Sequence, residues 1–349
     1  MRRRYCLLRR SFATLASVVV LFYTCITVSA QSATICGKYE TISLSDDRYI
    51  IQNNIWDATT KQCLWIPSLD GTGFEVSVSE HNQNTVAAFP SIFYGCHWGT
   101  CTTDSRFPQK VQNLPPVQAV WSYRTAGTSG AWNAVMELWF SPELNTSNGY
   151  AGGGELMIWL EHQGMTPSGS PVAHVSLAGI EWEVWYDEIG WNYVAYKALS
   201  DLPNNNTVLF NAKEFIEDAV ERGFIEKSWY LHVIEAGFEI MKGGRGLASD
   251  SFGARVCAAY VSKDGNCDGQ KPCYSEIQSA INTESDGTTL RIAQGTYSED
   301  VILGASKSMV LQGGWDSSFQ AQSGITTLRK APRAMMGSLS LLNLRVIPK

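Results

Sequence analysis

Gly154-Glu155-Leu156-Met157-Ile158-Trp159-Leu160-Glu161 decides how this chain is read. Side chains alternate across a strand, so Leu156, Ile158 and Leu160 form one apolar face and Glu155, Met157, Trp159 and Glu161 form the other. The first face belongs in a core. The second combines carboxylates with a thioether and an indole, which is odd for a solvated surface. It suits the floor of a concave sheet that grips an extended ligand.

A second segment repeats the pattern. Alternation over Leu231–Met241 puts Leu231, Val233, Glu235, Gly237, Glu239 and Met241 on one face, with His232, Ile234, Ala236, Phe238 and Ile240 on the other. Two strands therefore each present acids from a sheet. Glycoside hydrolysis needs two carboxyl groups flanking the scissile bond, about 5–5.5 Å apart in retaining enzymes.

Outward from these strands, short alternating runs recur at Tyr49–Trp56, Gly73–Val78, Ala119–Tyr123, Trp132–Phe140, Ile180–Tyr186 and Tyr193–Ala198. Gly, Asn, Pro and Ser clusters separate them, as at Thr125–Gly130 and Asn145–Gly154. That spacing predicts an all-β fold, a two-sheet sandwich or jelly roll. One helix is expected at Asn211–Gly223, with Asn211 as its cap, Glu214 at the capping-box position and Gly223 as its stop.

The texture changes after Val256. A Gly- and Cys-rich stretch and a short helix at Tyr274–Asn282 precede strand-turn units at Thr289–Ala293, Asp300–Leu303, Ser308–Gln312 and Ile325–Arg329. These units resemble the opening coils of a pectin-lyase-like parallel β-helix. Such a solenoid buries its core by stacking, and fewer than a hundred residues is short for one. The expected organisation is a signal peptide at 1–30, a catalytic jelly roll at 31–256 and a β-helix-like fragment or spacer at 257–349.

The leader reading rests on five arginines before the apolar run Ala13–Val28, which ends in Val28-Ser29-Ala30. The run is too short to span a bilayer stably, and no later stretch is apolar enough, so a secreted chain without a membrane span is expected. Net charge is −6 for the whole chain and becomes −11 without the leader's five arginines. An acidic chain with no Lys/Arg cluster is a poor binder of nucleic acid. Its 12 Trp, 14 Tyr and 13 Phe suit stacking on the apolar faces of sugar rings, or simply a large core.

In an oxidising compartment, spacing suggests disulfides Cys36–Cys63, Cys96–Cys101 and Cys267–Cys273, leaving Cys257 over. Connectivity is not determined by spacing, and Cys257 could instead pair with Cys267 or Cys273. No matching half-site accompanies Cys96-His97…Cys101, so no metal is expected.

Several motifs together resemble glycoside hydrolase family 12 across Cys36–Val256. They are Asn53-Asn54-Ile55-Trp56, Tyr94-Gly95-Cys96-His97-Trp98-Gly99-Thr100-Cys101-Thr102, Glu155-Leu156-Met157-Ile158-Trp159, Trp182-Glu183-Val184-Trp185-Tyr186, and Ala236-Gly237-Phe238-Glu239 with Gly246-Leu247. The resemblance implies a jelly roll with one helix, acting without cofactor as a monomer on cellulose-like β-1,4-glucan, mixed-linkage glucan or xyloglucan. It makes Glu155 the nucleophile and Glu239 the acid/base. Asn54 and Trp56 would hold sugars upstream of the cut, with Met157 and Trp159 at the floor. Trp98 would stack a sugar at the rim or cover its own loop, and the 164–171 loop would reach across the cleft.

Three positions depart from the family pattern: Glu137 where Asp is usual beside the nucleophile, Glu235 where Gln is common, and Met241 where Trp is expected. His97 and His174 read as structural. Trp182 and Trp185 face opposite ways, so at most one meets the cleft. The alternatives are a jelly roll that binds carbohydrate without cleaving it, and a β-helix lyase or adhesin with the hydrolase as passenger.

Overall fold

The computed structural model describes residues 5–6, 25–26 and 31–347, except 46, 104, 146–149, 151, 201 and 203–206. The leader expected at 1–30 lies outside the described residues, but for a short antiparallel pairing of Tyr5–Cys6 with Cys25–Ile26.

Two sheets face each other. The larger carries, in chain order, β1 (Thr41–Leu44), β2 (Tyr49–Gln52), β3 (Ser91–His97), β4 (Gly130–Ser141), β5 (Gly154–Gln163), β6 (Ser170–Leu177), β7 (Ile180–Glu188), β8 (Asn192–Ala198) and β9 (Tyr230–Gly237). Their spatial order is β6-β7-β8-β5-β4-β9-β3-β2-β1. All pairs along it are antiparallel except β5 with β8. The second sheet has six strands, with Ala248–Val256 and Phe74–Ser79 at its centre.

Alternation explains the layering. On β4, Trp132, Ala134, Met136, Leu138 and Phe140 enter the core between the sheets, where Leu156, Ile158 and Leu160 of β5 join them. The other face of β4 carries Asn133, Val135, Glu137 and Trp139. The jelly-roll expectation holds.

β-Bulges change two details. One between Trp139 and Phe140 shifts the register with β9, so Leu231 lies opposite Phe140 and joins the core instead of the cleft face. A second, between Ala134 and Val135, sets Glu161 opposite Ala134. Its carboxylate accepts from Thr125 Oγ1 at 2.8 Å rather than extending the row of Glu155. The run expected to be continuous to Ile240 is interrupted without a change of register: β9 stops with Gly237 opposite Val135, and Ile240–Gly243 resumes the pairing with Ile240 opposite Trp132.

The helix α1 (Lys213–Glu221) packs Phe215, Ile216 and Ala219 into the core. Its cap is corrected. Ala212 precedes the helix without a side-chain cap, and Asn211 Oδ1 instead accepts from Val117 N–H. Glu214 accepts from the Ala178 amide.

Disulfides join Cys36 to Cys63, Cys96 to Cys101 and Cys267 to Cys273, while Cys257 is a buried free thiol. After Cys257 the chain forms a parallel coil. Ala258–Val261, Thr289–Ala293, Ser308–Trp315 and Ser338–Leu342 pair side by side, and two smaller parallel sheets complete the turns. Leu290 and Leu311 stack over α2 (Ile277–Thr283) in a second core. The coil is bolted to the sandwich. Arg106 donates to the carbonyls of Val256 and Ala258 and pairs with Glu284, and Arg291 reaches the carbonyl of Asn113. Among the described residues, no helix is long and apolar enough to cross a membrane.

Candidate active site

The cleft face of the large sheet gathers four carboxyl groups. Glu155 stands on β5 opposite Trp139, and Glu137 stands on β4 opposite both Met157 and Glu235. Glu239 lies just past β9, beside Asn133. Glycines set these strands. A Cβ on Gly237 would come within 2.3 Å of the Pro90 carbonyl, and one on Gly154 within 2.6 Å of Ile225. Only glycine allows the backbone that close on either side of the acids.

Glu155 is 7% exposed, and its Oε2 accepts from Trp191 Nε1 at 2.7 Å. Tyr193 faces it across β8. Glu239 is partly exposed and clamped by Asn133. The Asn133 side chain donates to Glu239 Oε2 and accepts from the Glu239 amide at 2.8 Å, and the Asn133 amide donates to the Glu239 carbonyl at 3.0 Å. Glu235 is fully buried: His97 Nδ1 lies 2.7 Å from its Oε1, and Ser91 Oγ donates to Oε2 at 3.0 Å.

Burying acids together raises their affinity for protons. Burial, then the Glu239 charge, push Glu155 up to about 8 against the pull of Trp191. Burial pushes Glu239 up to about 7, against the pull of Asn133. Glu137 is raised well above the carboxylate range by burial and by Glu155, Glu235 and Glu239. Glu137 and Glu155 titrate against charged neighbours, so their protons belong to the group rather than to either residue alone.

The aromatic side chains divide. Trp56 and Trp98 are exposed, at 48% and 45%, and are free to stack on a ligand. Trp98 also caps an aromatic nest of Trp139, Tyr150 and Trp191, with ring centroids 5.4–6.4 Å away. Asn54 is buried in the left-handed region, and its carbonyl accepts from Phe89. Met157 and Trp159 are corrected. They are covered, at 0% and 1% exposure, in a cluster with Phe89, Tyr193 and Met165 of the 164–171 loop. They support the floor from beneath instead of forming its surface. Trp182 is in the core, and Trp185 packs against the cleft-side cluster.

Sequence reading missed Asn133, Trp191 and Ser91, and took His97 as merely structural. Asn133 carried a signal, because Asn is depleted inside strands and this one alternates with Val135 and Glu137. Trp191 follows Gly190 in a turn and carried none.

Two acids thus stand on either side of β4, Glu155 on β5 and Glu239 just past β9, each with its own side-chain donor. The sequence model of Glycosyl hydrolase family 12 matches residues 47–257. This chain belongs to glycosyl hydrolase family 12. Its relatives include a probable cellulase of Mycobacterium tuberculosis, 34% identical over 131 residues that make up 37% of this chain and 83% of that protein. A xyloglucan-specific endo-β-1,4-glucanase of Emericella nidulans is 24% identical over 68% of this chain and 93% of its own. Among solved structures, a metagenome-derived family 12 endoglucanase is 43% identical, with TM-score 0.63 over 65% of this chain and 98% of that one. The Rhodothermus marinus family 12 endoglucanase is also 43% identical, with TM-score 0.62 over 64% and 98%. The family 12 match ends at residue 257, where the parallel coil begins.

Proposed function

We propose that this family 12 chain is a secreted, endo-acting hydrolase of β-1,4-glucans that retains anomeric configuration. Glu155 is its nucleophile and Glu239 its acid/base. The observation that carries the reading is the unequal setting of two neighbouring raised acids. Glu155 is nearly closed off and faces Trp191 and Tyr193, whereas Glu239 is partly open and holds one side-chain donor. Each carboxyl has one side-chain donor, so exposure rather than donor count separates them, and retaining hydrolysis requires the charge on the enclosed Glu155 and the proton on the open Glu239. A glucan on the cleft displaces the water at Glu239 and strengthens that assignment.

In the first step Glu155 attacks the anomeric carbon through Oε1, the oxygen that Trp191 leaves free. The glycosidic C–O bond breaks as Glu239 gives its proton to the departing oxygen. In the second step water loses a proton to Glu239 and displaces Glu155, which restores both acids and yields the β-anomer. Glu137 supports the nucleophile. Trp56 and Trp98 offer faces to sugar rings, and Asn54 anchors the turn that carries Trp56. Relatives named for cellulase, endoglucanase and xyloglucan-specific activity support cellulose-like glucan, mixed-linkage glucan or xyloglucan as substrate.

Residues 31–256 are proposed as the catalytic unit and 257–349 as a β-helix-like attachment. Three disulfides support export. Glu155→Gln tests the assignment: turnover on barley glucan should fall by several orders of magnitude while cello-oligosaccharide binding persists. Comparable activity would move the nucleophile elsewhere, and a wild-type chain that binds glucan without releasing reducing ends would make this a binding module.

A further inference from the structure

Glu155, Glu239 and Glu137 have roles in the mechanism, but a fourth acid, buried Glu235, has none. Glu235 has no exposed surface, and donors meet both of its oxygens: His97 Nδ1 at 2.7 Å and Ser91 Oγ at 3.0 Å. Its directly paired residue on β4 is Glu137, itself buried. Directly opposed side chains on one sheet face are close neighbours, and like charges there repel. Two buried carboxylates in that position do not both stay charged. Glu235 has a histidine and a hydroxyl turned toward it. Glu137 is surrounded by Glu155, Glu235 and Glu239, with the Tyr193 phenol beyond Glu155 on β8, and the Trp139 indole is the donor that pulls the other way. The charge therefore belongs on Glu235 and the proton on Glu137.

Glu137 lies diagonally across the β4–β5 pair from Glu155, one pleat away, within reach of a long side chain. A protonated carboxyl has one O–H to give. We propose that Glu235, held by His97 and Ser91, is a positioning residue for the nucleophile: its buried charge keeps a proton on Glu137, and protonated Glu137 donates to Glu155. The inference rests on Glu155 being the nucleophile and adds how its charge is maintained. The same contacts give His97 a role, as the side chain that lets Glu235 hold its charge in an apolar setting beside Phe93.

Infrared spectroscopy of the full chain tests it. Wild-type protein at neutral pH should show a protonated-carboxyl C=O stretch that is lost in Glu137→Gln. Glu235→Gln should lower the pH midpoint of that band by about one unit and carry the kcat/KM profile the same way. Binding of cellotetraose should stay within about threefold, since neither acid is exposed. A purely structural Glu235 would lower activity or stability without moving the midpoint. The proposal is overturned if no Glu137-dependent band exists at neutral pH, or if Glu235→Gln leaves its midpoint in place. The first outcome is read from wild type and Glu137→Gln alone, so it stands even if Glu235→Gln does not fold. An active Glu155→Gln would sink the nucleophile assignment instead, without affecting the Glu137 band.

Discussion

Trp191→Phe isolates one bond. The indole N–H donates to Glu155 Oε2 at 2.7 Å, while the ring packs edge-on against Trp98 and Trp139 at 6.4 and 5.2 Å. Phenylalanine keeps an aromatic ring there and deletes the donor. A hydrogen bond to a charged group is worth about 1.5–3 kcal/mol, and one pKa unit corresponds to about 1.36 kcal/mol. Trp191 is only partly buried, so water replaces some of the loss and the lower end applies: about one unit. The direction is upward, because only the ionised form of Glu155 gains from the donor. The acidic limb of kcat/KM should therefore move to higher pH by about one unit, costing roughly tenfold in rate on that side. An aryl cellobioside with a good leaving group is the right substrate, since its departure needs no proton from Glu239 and the limb then reports Glu155. If the limb stays where it is while the variant remains folded, Trp191 does not sustain the Glu155 charge and the donor argument fails.

Asn133→Ala should move the basic limb on natural glucan upward, because Asn133 holds Glu239 below the value that burial alone would set; a downward move would contradict its role. Glu239→Ala should spare good aryl leaving groups and be rescued by azide, and the product should be the β-glycosyl azide; an α-azide would rule out double displacement. Glu155→Gln should stabilise the fold at pH 8. An acid raised to about 8 in the folded state binds its proton more tightly there than when unfolded, so its contribution is present below about pH 4.5 and lost as pH rises through 8. The ceiling is about 5 kcal/mol, and melting curves at pH 4.5 and 8 that differ equally for both proteins would refute it. Removing residues 257–349 should leave activity on soluble glucan and lower Tm by several degrees, because Arg106 loses Glu284 and the Ala258 carbonyl; an unchanged Tm would make the seam energetically idle.

Much of this was legible in one dimension because the period of a strand is two. Alternation alone separated Leu156, Ile158 and Leu160 from Glu155, and Ile234, Ala236 and Phe238 from Glu235 and Glu239. Two acids presented from strands leave many chemistries open, and it is the motifs around them, resembling family 12, that narrow the class. Period two also marks its own limits. A bulge adds one residue and turns the next side chains over, and nothing local in Leu231-His232-Val233 or Leu160-Glu161 announces one. Leu231 and Glu161 were misplaced for that reason.

The sequence by itself determined the all-β class, a helix within residues 211–223 and the strand faces that carry Glu155 and Glu239, because each depends on neighbours a few residues away. Tertiary structure alone decided what surrounds those carboxylates. Trp191 meets Glu155 across 36 residues, Asn133 meets Glu239 across 106 and His97 meets Glu235 across 138. It also placed Met157 and Trp159 beneath Met165 instead of at the surface. The order of strands in a sheet is settled by packing over the whole chain, and that order sets which donor reaches which acid, and so where the protons rest.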